Sequence, residues 1–355
     1  MIANRISFIE WLKASGMLVV IYGHTSGHEI LNPTLPTNIK QIGVVFFILI
    51  AGYLLANESR PWPKVLYNRL FELIFLSFLY VVLTSIVNFY LIDDINESNY
   101  LPFMLGINVI FNSFPANPSL WYIGTYIHLM ILWALLLRHI TIRPWMFIVV
   151  VPAEIAVRAL LMNSAGDFIA YQLFTNWVSI VLLGMYLGQQ SIGDIQDASK
   201  KPLIFYVAAL LLAVTVWNLA TRALGITESN PFGRLQMDSV VTTQITSAIL
   251  VSLVYFIWGI LGFQIFRRLR AGPIVQFFSR NSLMIFILHM PLVYGSYDWI
   301  NELLGKDSQG FLRLTLNLLI FYVGLGLLSE LILKLLKPVA VRNALEQKFI
   351  SFRER

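Results

Sequence analysis

Ten apolar stretches recur along this chain with short polar loops between them, more hydrocarbon than a soluble core of 355 residues can bury. They run over about Ser7–Gly23, Ile42–Leu55, Leu66–Leu91, Leu120–Leu137, Trp145–Met162, Tyr171–Leu187, Leu203–Leu219, Val240–Phe263, Leu283–Tyr294 and Leu314–Leu336. Backbone placed in lipid has no water to bond to, so each stretch must satisfy its own N–H and C=O groups as an α-helix. The expected fold is an all-α, polytopic transmembrane bundle of about ten spanning helices, a single integral membrane domain over residues 1–355. Several stretches fall short of the ~20 residues of a perpendicular span, so their ends extend into polar flanks. Leu101–Phe111 is shorter still and reads as interfacial or re-entrant. The first stretch lacks a small-residue cleavage site and is interrupted by Glu10 and Lys13, so it reads as a retained helix rather than a signal peptide.

Charge gives the orientation. Only 12% of the residues are charged, against about 25% in soluble domains. The sequence pI of 9.4 does not imply nucleic acid, because the basic residues alternate between loops and form no continuous stripe. One side receives Arg5, Arg60, Lys64, Arg69, Arg138, Arg143, Lys200, Lys201, Arg267, Arg268, Arg270, Arg280, Lys334, Lys337, Arg342, Lys348, Arg353 and Arg355. The other receives only Lys40, Arg222, Arg234, Lys306 and Arg313, and its loop with Asp93, Asp94 and Glu97 contains no basic residue. Short basic loops stay inside, so both termini are expected in the cytoplasm. The chain has no cysteine, which excludes disulfides, zinc–thiolate sites and thiol catalysis.

The first helix concentrates the chemistry. Lys13 and His24 are eleven residues apart, which places them within about 20° of one another on the helix and about 16 Å apart along its axis. Glu10 precedes Lys13 by three residues and is spaced to pair with it. One stripe thus carries a carboxylate and an ammonium near the cytoplasm and an imidazole near the far end. Such groups inside a span face protein or water. A structural reading stands beside the functional one: an interfacial Glu10–Lys13 pair, with His24 merely ending the helix. His24 and His28 have the spacing of a metal pair, but no cysteine or placed carboxylate completes a ligand set, and no metal is expected.

The sequence here resembles the membrane acyltransferase-3 family, bacterial enzymes that O-acylate carbohydrates. Their first helix reads Asp-x-Leu-Arg-Gly, then an apolar run, then His; Glu10, Leu12, Lys13, Ala14 and His24 hold those positions. Phe46-Phe47-Ile48-Leu49-Ile50-Ala51-Gly52-Tyr53-Leu54-Leu55 is similar to the family's Phe-Phe-x-x-Ser-Gly-Phe-Leu-Leu, with Ala51 for Ser. Where the third helix of the family starts with paired arginines, this chain has Arg69 and Glu72. Ser119-Leu120-Trp121-Tyr122-Ile123 and Ser282-Leu283-Met284-Ile285-Phe286-Ile287-Leu288-His289-Met290-Pro291 resemble two later blocks, giving five in the expected order.

The resemblance implies an enzyme of the bacterial inner membrane that moves an acyl group, most simply acetyl, from cytoplasmic acyl-CoA to a hydroxyl of an exported or surface polysaccharide or glycolipid. Membrane lipid and polysaccharide synthesis or export machinery are the further partners it implies; no nucleic acid is expected. Catalysis is assigned to His24 with Glu10, donor binding to Lys13 and Arg69, and acceptor binding to Trp121 and His28. The absence of the extracytoplasmic hydrolase-like domain of some relatives implies direct transfer to the final acceptor. Neutral imidazole can take the proton of a sugar hydroxyl or accept the acyl group itself, and both routes stay open. His128 and His289 read as bundle residues, His139 as a loop residue, and Glu154–Arg158 as an internal ion pair. The alternative function is a transporter of a glycan or small anion, which Glu10, Lys13, Glu154 and Arg158 would suit, but the broken helices of two related halves are not visible. A membrane glycosyltransferase would require a soluble catalytic domain or a large acidic external loop.

Overall fold

The computed structural model describes residues 7–25, 40–92, 105–111, 120–190, 202–223, 240–303 and 311–353, and every regular element among them is helical. In chain order these are α1 (Ser7–Thr25), α2 (Lys40–Leu55), α3 (Trp62–Ile92), α4 (Asn108–Phe111), α5 (Trp121–Leu135), α6 (Met146–Ser164), α7 (Asp167–Gln172), α8 (Val178–Gln189), α9 (Leu203–Ala223), α10 (Val240–Phe266), α11 (Pro273–Leu303), α12 (Phe311–Leu336) and α13 (Pro338–Arg353). Five helical stretches are long and apolar enough to cross a membrane, in α3, α5, α6, α10 and α12, and α2, α8 and α9 supply shorter apolar ones. Outward faces are bare hydrocarbon, with Ile148 at 76% and Leu335 at 72% exposure. Such a surface suits lipid, not water. The molecule is a helical membrane bundle.

Each apolar stretch of the sequence falls on one main helix except Tyr171–Leu187. There the chain runs through the end of α7, a 3-10 turn at Phe174–Asn176 and then α8. Irregular backbone at membrane depth survives only where protein buries it, and the break lies against buried Arg158 and Glu154. The acidic loop at 93–100 and residues 101–104 of the re-entrant segment lie outside the described residues; its remaining part forms α4, packed on α5 and α7.

α1 is the central helix, touching α2, α10, α11 and α12, with Leu12, Met17 and Ile21 fully buried. At one end Phe8 meets Tyr53 at 4.8 Å and Phe263 at 5.2 Å, and the Trp11 indole N–H donates to the Arg270 carbonyl at 3.1 Å. The loops at this end carry Arg60, Arg138, Arg143, Arg267, Arg268 and Arg270, and we call it the basic end. α13 is clamped across the start of α3 there: the Tyr67 hydroxyl donates to the Arg342 carbonyl, Arg342 pairs with Glu72 at 2.8 Å, and Lys64 pairs with Glu346.

Close packing of α1, α2 and α8 depends on glycine. A Cβ on Gly43 of α2 would collide with the Gly16 carbonyl oxygen and reach Val20 Cγ2 at 2.6 Å; one on Gly184 of α8 would collide with the Leu49 carbonyl. Small residues let helix backbones approach where lipid offers no hydrophobic drive between them. Gly43→Ala is therefore expected to destabilise the protein by about 1–3 kcal/mol through overpacking. Gly324→Ala, whose Cβ would meet nothing within 4 Å, is expected to leave stability unchanged or raise it slightly. Thermal midpoints in detergent measure the difference; equal midpoints for wild type and Gly43→Ala would rule out the contact.

Candidate active site

α1 and α11 run parallel and bring two histidines from opposite ends of the sequence together. The His24 and His289 rings lie 5.1 Å apart between centroids, at 53°. Each stands about 24–26 Å along its helix from the basic end, at about 1.5 Å per residue. His24 is half-buried, while His289 has no exposed surface. The His289 Nδ1 lies 2.6 Å from the Phe286 carbonyl oxygen, and its Nε2 has no hydrogen-bond partner among the described residues. Lys40, at the first residue of α2, sits under Gly23 and is close enough to act electrostatically on His289.

A row of touching rings connects this pair with the basic end. His289 meets Phe286 at 5.4 Å, Phe286 meets Tyr122 of α5 at 5.3 Å, and Tyr122 stacks on Tyr126 at 6.1 Å. Arg69 of α3 lies close enough to the Tyr126 hydroxyl to act on it electrostatically, and its Nη2 reaches the Leu54 carbonyl at 3.5 Å at the end of α2. Arg69 therefore points into the bundle at the inner end of the row. Beside it, Arg60 holds the Glu58 carboxyl below its ordinary range, through a hydrogen bond of 2.8 Å and its charge, with a smaller contribution from Arg69. Glu72, which stands where the family's second arginine is expected, is bonded among the described residues by Arg342 of α13 at 2.8 Å.

The stripe on α1 is partly as expected. Glu10 and His24 are fourteen residues apart, about 21 Å along the helix, so they cannot contact one reacting atom. Among the described residues Glu10 makes no ion pair with Lys13; it turns inward, 9% exposed, with Oε2 lacking a partner. Lys13 is half-buried on the same helix one turn further in. Trp121 stands at the end of α5 remote from the basic end, 4.8 Å from Tyr171 and stacked on Trp177 at 6.2 Å. It adjoins Tyr122 of the ring row but is itself part of an aromatic cluster that continues to Tyr255. His28 lies outside the described residues. His128 packs against Phe174 and Gly106, and His139 accepts a bond from Arg138 Nε at the basic end.

Glu154 and Arg158 form the expected internal pair at 2.7 Å, with both side chains buried. Arg158 also donates to the Ala248 carbonyl, Ser252 Oγ, Asn176 Oδ1 and the Asn176 carbonyl. Glu154 accepts from the Ser179 backbone N–H at 2.8 Å and the Ser179 hydroxyl at 2.9 Å. The first turn of α8 thereby presents a free N–H to an internal carboxylate. A transport path needs charges available to cargo; here each is consumed by the protein.

The profile of the acyltransferase-3 family, an acyltransferase domain, matches residues 6–333. The chain belongs to this family. No curated protein and no solved structure matches it. The matched region begins one residue before α1 and stops within α12, so α13 lies beyond it. The protein is thus a membrane acyltransferase, and its sequence blocks meet in space. The blocks on α1, α5 and α11 supply His24, Tyr122 and His289, and Tyr122 reaches the α2 block through Phe47 at 6.2 Å. His289 lies in the bundle interior, as its place within a span predicts, and no sequence signal points to its ring facing His24 across 265 residues of chain.

Proposed function

We propose that this acyltransferase is an O-acyltransferase, most simply an O-acetyltransferase. It takes the acyl group from acyl-CoA at the cytoplasmic face of a bacterial inner membrane and passes it to a hydroxyl of an exported or surface polysaccharide or glycolipid. The observation that carries this reading is the ring row, which joins a cationic group at the basic end to a histidine pair near the opposite end. The positive-inside rule puts the basic end, and both termini, in the cytoplasm. Arg69, with Lys13 further along α1, supplies cations for the phosphates of CoA. Apolar rings suit the thioester arm, which carries no charge. Trp121 and His28 belong to the acceptor side, where an aromatic face can stack on sugar.

In this mechanism the neutral His24 imidazole removes the proton from an acceptor hydroxyl as its oxygen attacks the thioester carbonyl. A C–O bond forms, the C–S bond breaks, and the CoA sulfur leaves as thiolate and takes up the proton. An acyl-histidine route has His24 attack first and the acceptor second, with the same balance. Glu10, remote from His24, acts on the donor side as a partner for the entrance cations.

Labelled acetyl-CoA supplied to inside-out membrane vesicles containing acceptor polysaccharide is expected to label the glycan. Right-side-out sealed vesicles given the same label outside are expected to remain unlabelled. Label appearing equally in both would overturn the sidedness; label in neither would overturn acetyl-CoA as donor. Arg69→Ala is expected to raise KM for acetyl-CoA about tenfold, the effect of losing one charge-assisted phosphate contact, with a smaller change in kcat.

A further inference from the structure

We propose that His289 is the positioning residue for His24: its buried Nε2 accepts the N–H of the His24 imidazole and so fixes which His24 nitrogen is left free for chemistry. The inference rests on the reading of His24 as the reactive imidazole. It starts from the Phe286 carbonyl, which can only accept. With His289 Nδ1 at 2.6 Å from that oxygen, the proton of a neutral His289 ring must sit on Nδ1, leaving Nε2 as a lone-pair acceptor. That nitrogen is fully buried and has no hydrogen-bond partner among the described residues. A buried acceptor left unmade is unfavourable, and a histidine kept only for packing would not need one.

The ring separation fits the missing bond. Two imidazoles joined by N–H···N at about 2.9 Å have centroids roughly 5.2 Å apart, allowing about 1.15 Å from each centroid to its nitrogen. The two rings are 5.1 Å apart, and the 53° between their planes leaves a rotation of His24 about its ring bond to complete the alignment. Phe286, which packs on Tyr122, holds this part of α11 in place. When His24 takes the acceptor proton it carries two N–H groups. One is given to His289, whose neutral acceptor then stabilises the imidazolium. The second returns its proton to the leaving sulfur. Lys40 of α2 is the charged side chain that acts on His289; nothing acidic among the described residues is hydrogen-bonded to either His289 nitrogen.

The test compares His289→Gln with His289→Asn. The glutamine amide oxygen reaches the position of Nε2, whereas asparagine stops near Nδ1, so both keep polarity and only one keeps the acceptor. The first readout needs no substrate: the rate at which diethyl pyrocarbonate carbethoxylates His24 in the purified full chain, followed by mass spectrometry at mildly alkaline pH where imidazole is neutral. His24 is expected to react about as fast in His289→Gln as in wild type, and roughly 5- to 10-fold more slowly in His289→Asn, because its N–H is then unpolarised. The second readout is transfer from acetyl-CoA. His289→Asn is expected to lower kcat about 10- to 100-fold, with KM for acetyl-CoA within about twofold, and His289→Gln to recover most of it. Equal His24 reactivity in all three proteins would overturn the proposal. So would a loss in His289→Asn that glutamine does not rescue. If the wild type transferred no label, the proposed donor or acceptor would fall, while the reactivity series would still judge His289.

Discussion

His24→Ala is expected to abolish acyl transfer while leaving the protein inserted and abundant. Loss of a positioned general base costs about 10²- to 10⁴-fold in kcat, and loss of a nucleophilic imidazole at least as much. His24 is half-buried near the end of α1, with its ring against that of His289. Truncation therefore removes little packing, and the thermal midpoint in detergent is expected to stay close to wild type. KM for acetyl-CoA should move little, because the cations assigned to CoA lie at the other end of the bundle. A His24→Ala protein that labels polysaccharide at the wild-type rate would remove this imidazole from the reaction. One that loses activity together with stability would make His24 a packing residue.

Arg158→Met carries the largest expected effect on the fold. The substitution keeps the bulk of the side chain but leaves the Glu154 carboxylate buried with only Ser179 to bond, and it removes the guanidinium that bonds Asn176 Oδ1 and the Ala248 carbonyl. Removing one partner of a buried ion pair is destabilising by about 3–5 kcal/mol, because the remaining charge has no solvent. The variant is expected to aggregate on extraction or to melt well below wild type on detergent gel filtration. Arg158→Met combined with Glu154→Gln removes both charges and is expected to recover a large part of the loss, the signature of a structural pair. A singly substituted protein with wild-type stability would show that the network is not holding α6, α8 and α10 together.

Much of this was legible in the sequence because membrane folds are written in long, uniform signals. The apolar stretches become helices, and the five ordered blocks match a family covering residues 6–333. The position of His24 follows from an eleven-residue spacing on a single helix, which needs no tertiary knowledge. Contacts between distant segments are another matter. Glu72 stands in sequence where a second family arginine is expected beside Arg69, yet its partner is Arg342, 270 residues away, once α13 docks. Glu10 was matched with Lys13 by a local spacing rule, and the inward face of α1 took Glu10 instead. The break at Phe174–Asn176 contains neither proline nor glycine. What unwinds the chain there is tertiary: Asn176 bonds Arg158 through both its side chain and its carbonyl, so the chain gives up helical continuity for a buried guanidinium.

The glycine contacts along α1, α2 and α8 also bear on motion. Backbones touching at Gly16–Gly43 and Gly52–Gly184 have no side-chain layer between them to deform, so these three helices cannot slide past one another without breaking contact and must travel as one rigid plank. Packed interfaces of this kind switch between arrangements rather than stretch. α3 is held differently, by ion pairs with α13 at its basic end and by a smaller apolar seam with α5. Any rearrangement of the bundle is therefore expected to fall on α3, pivoting at that clamp. The plank keeps His24 fixed as α3 pivots.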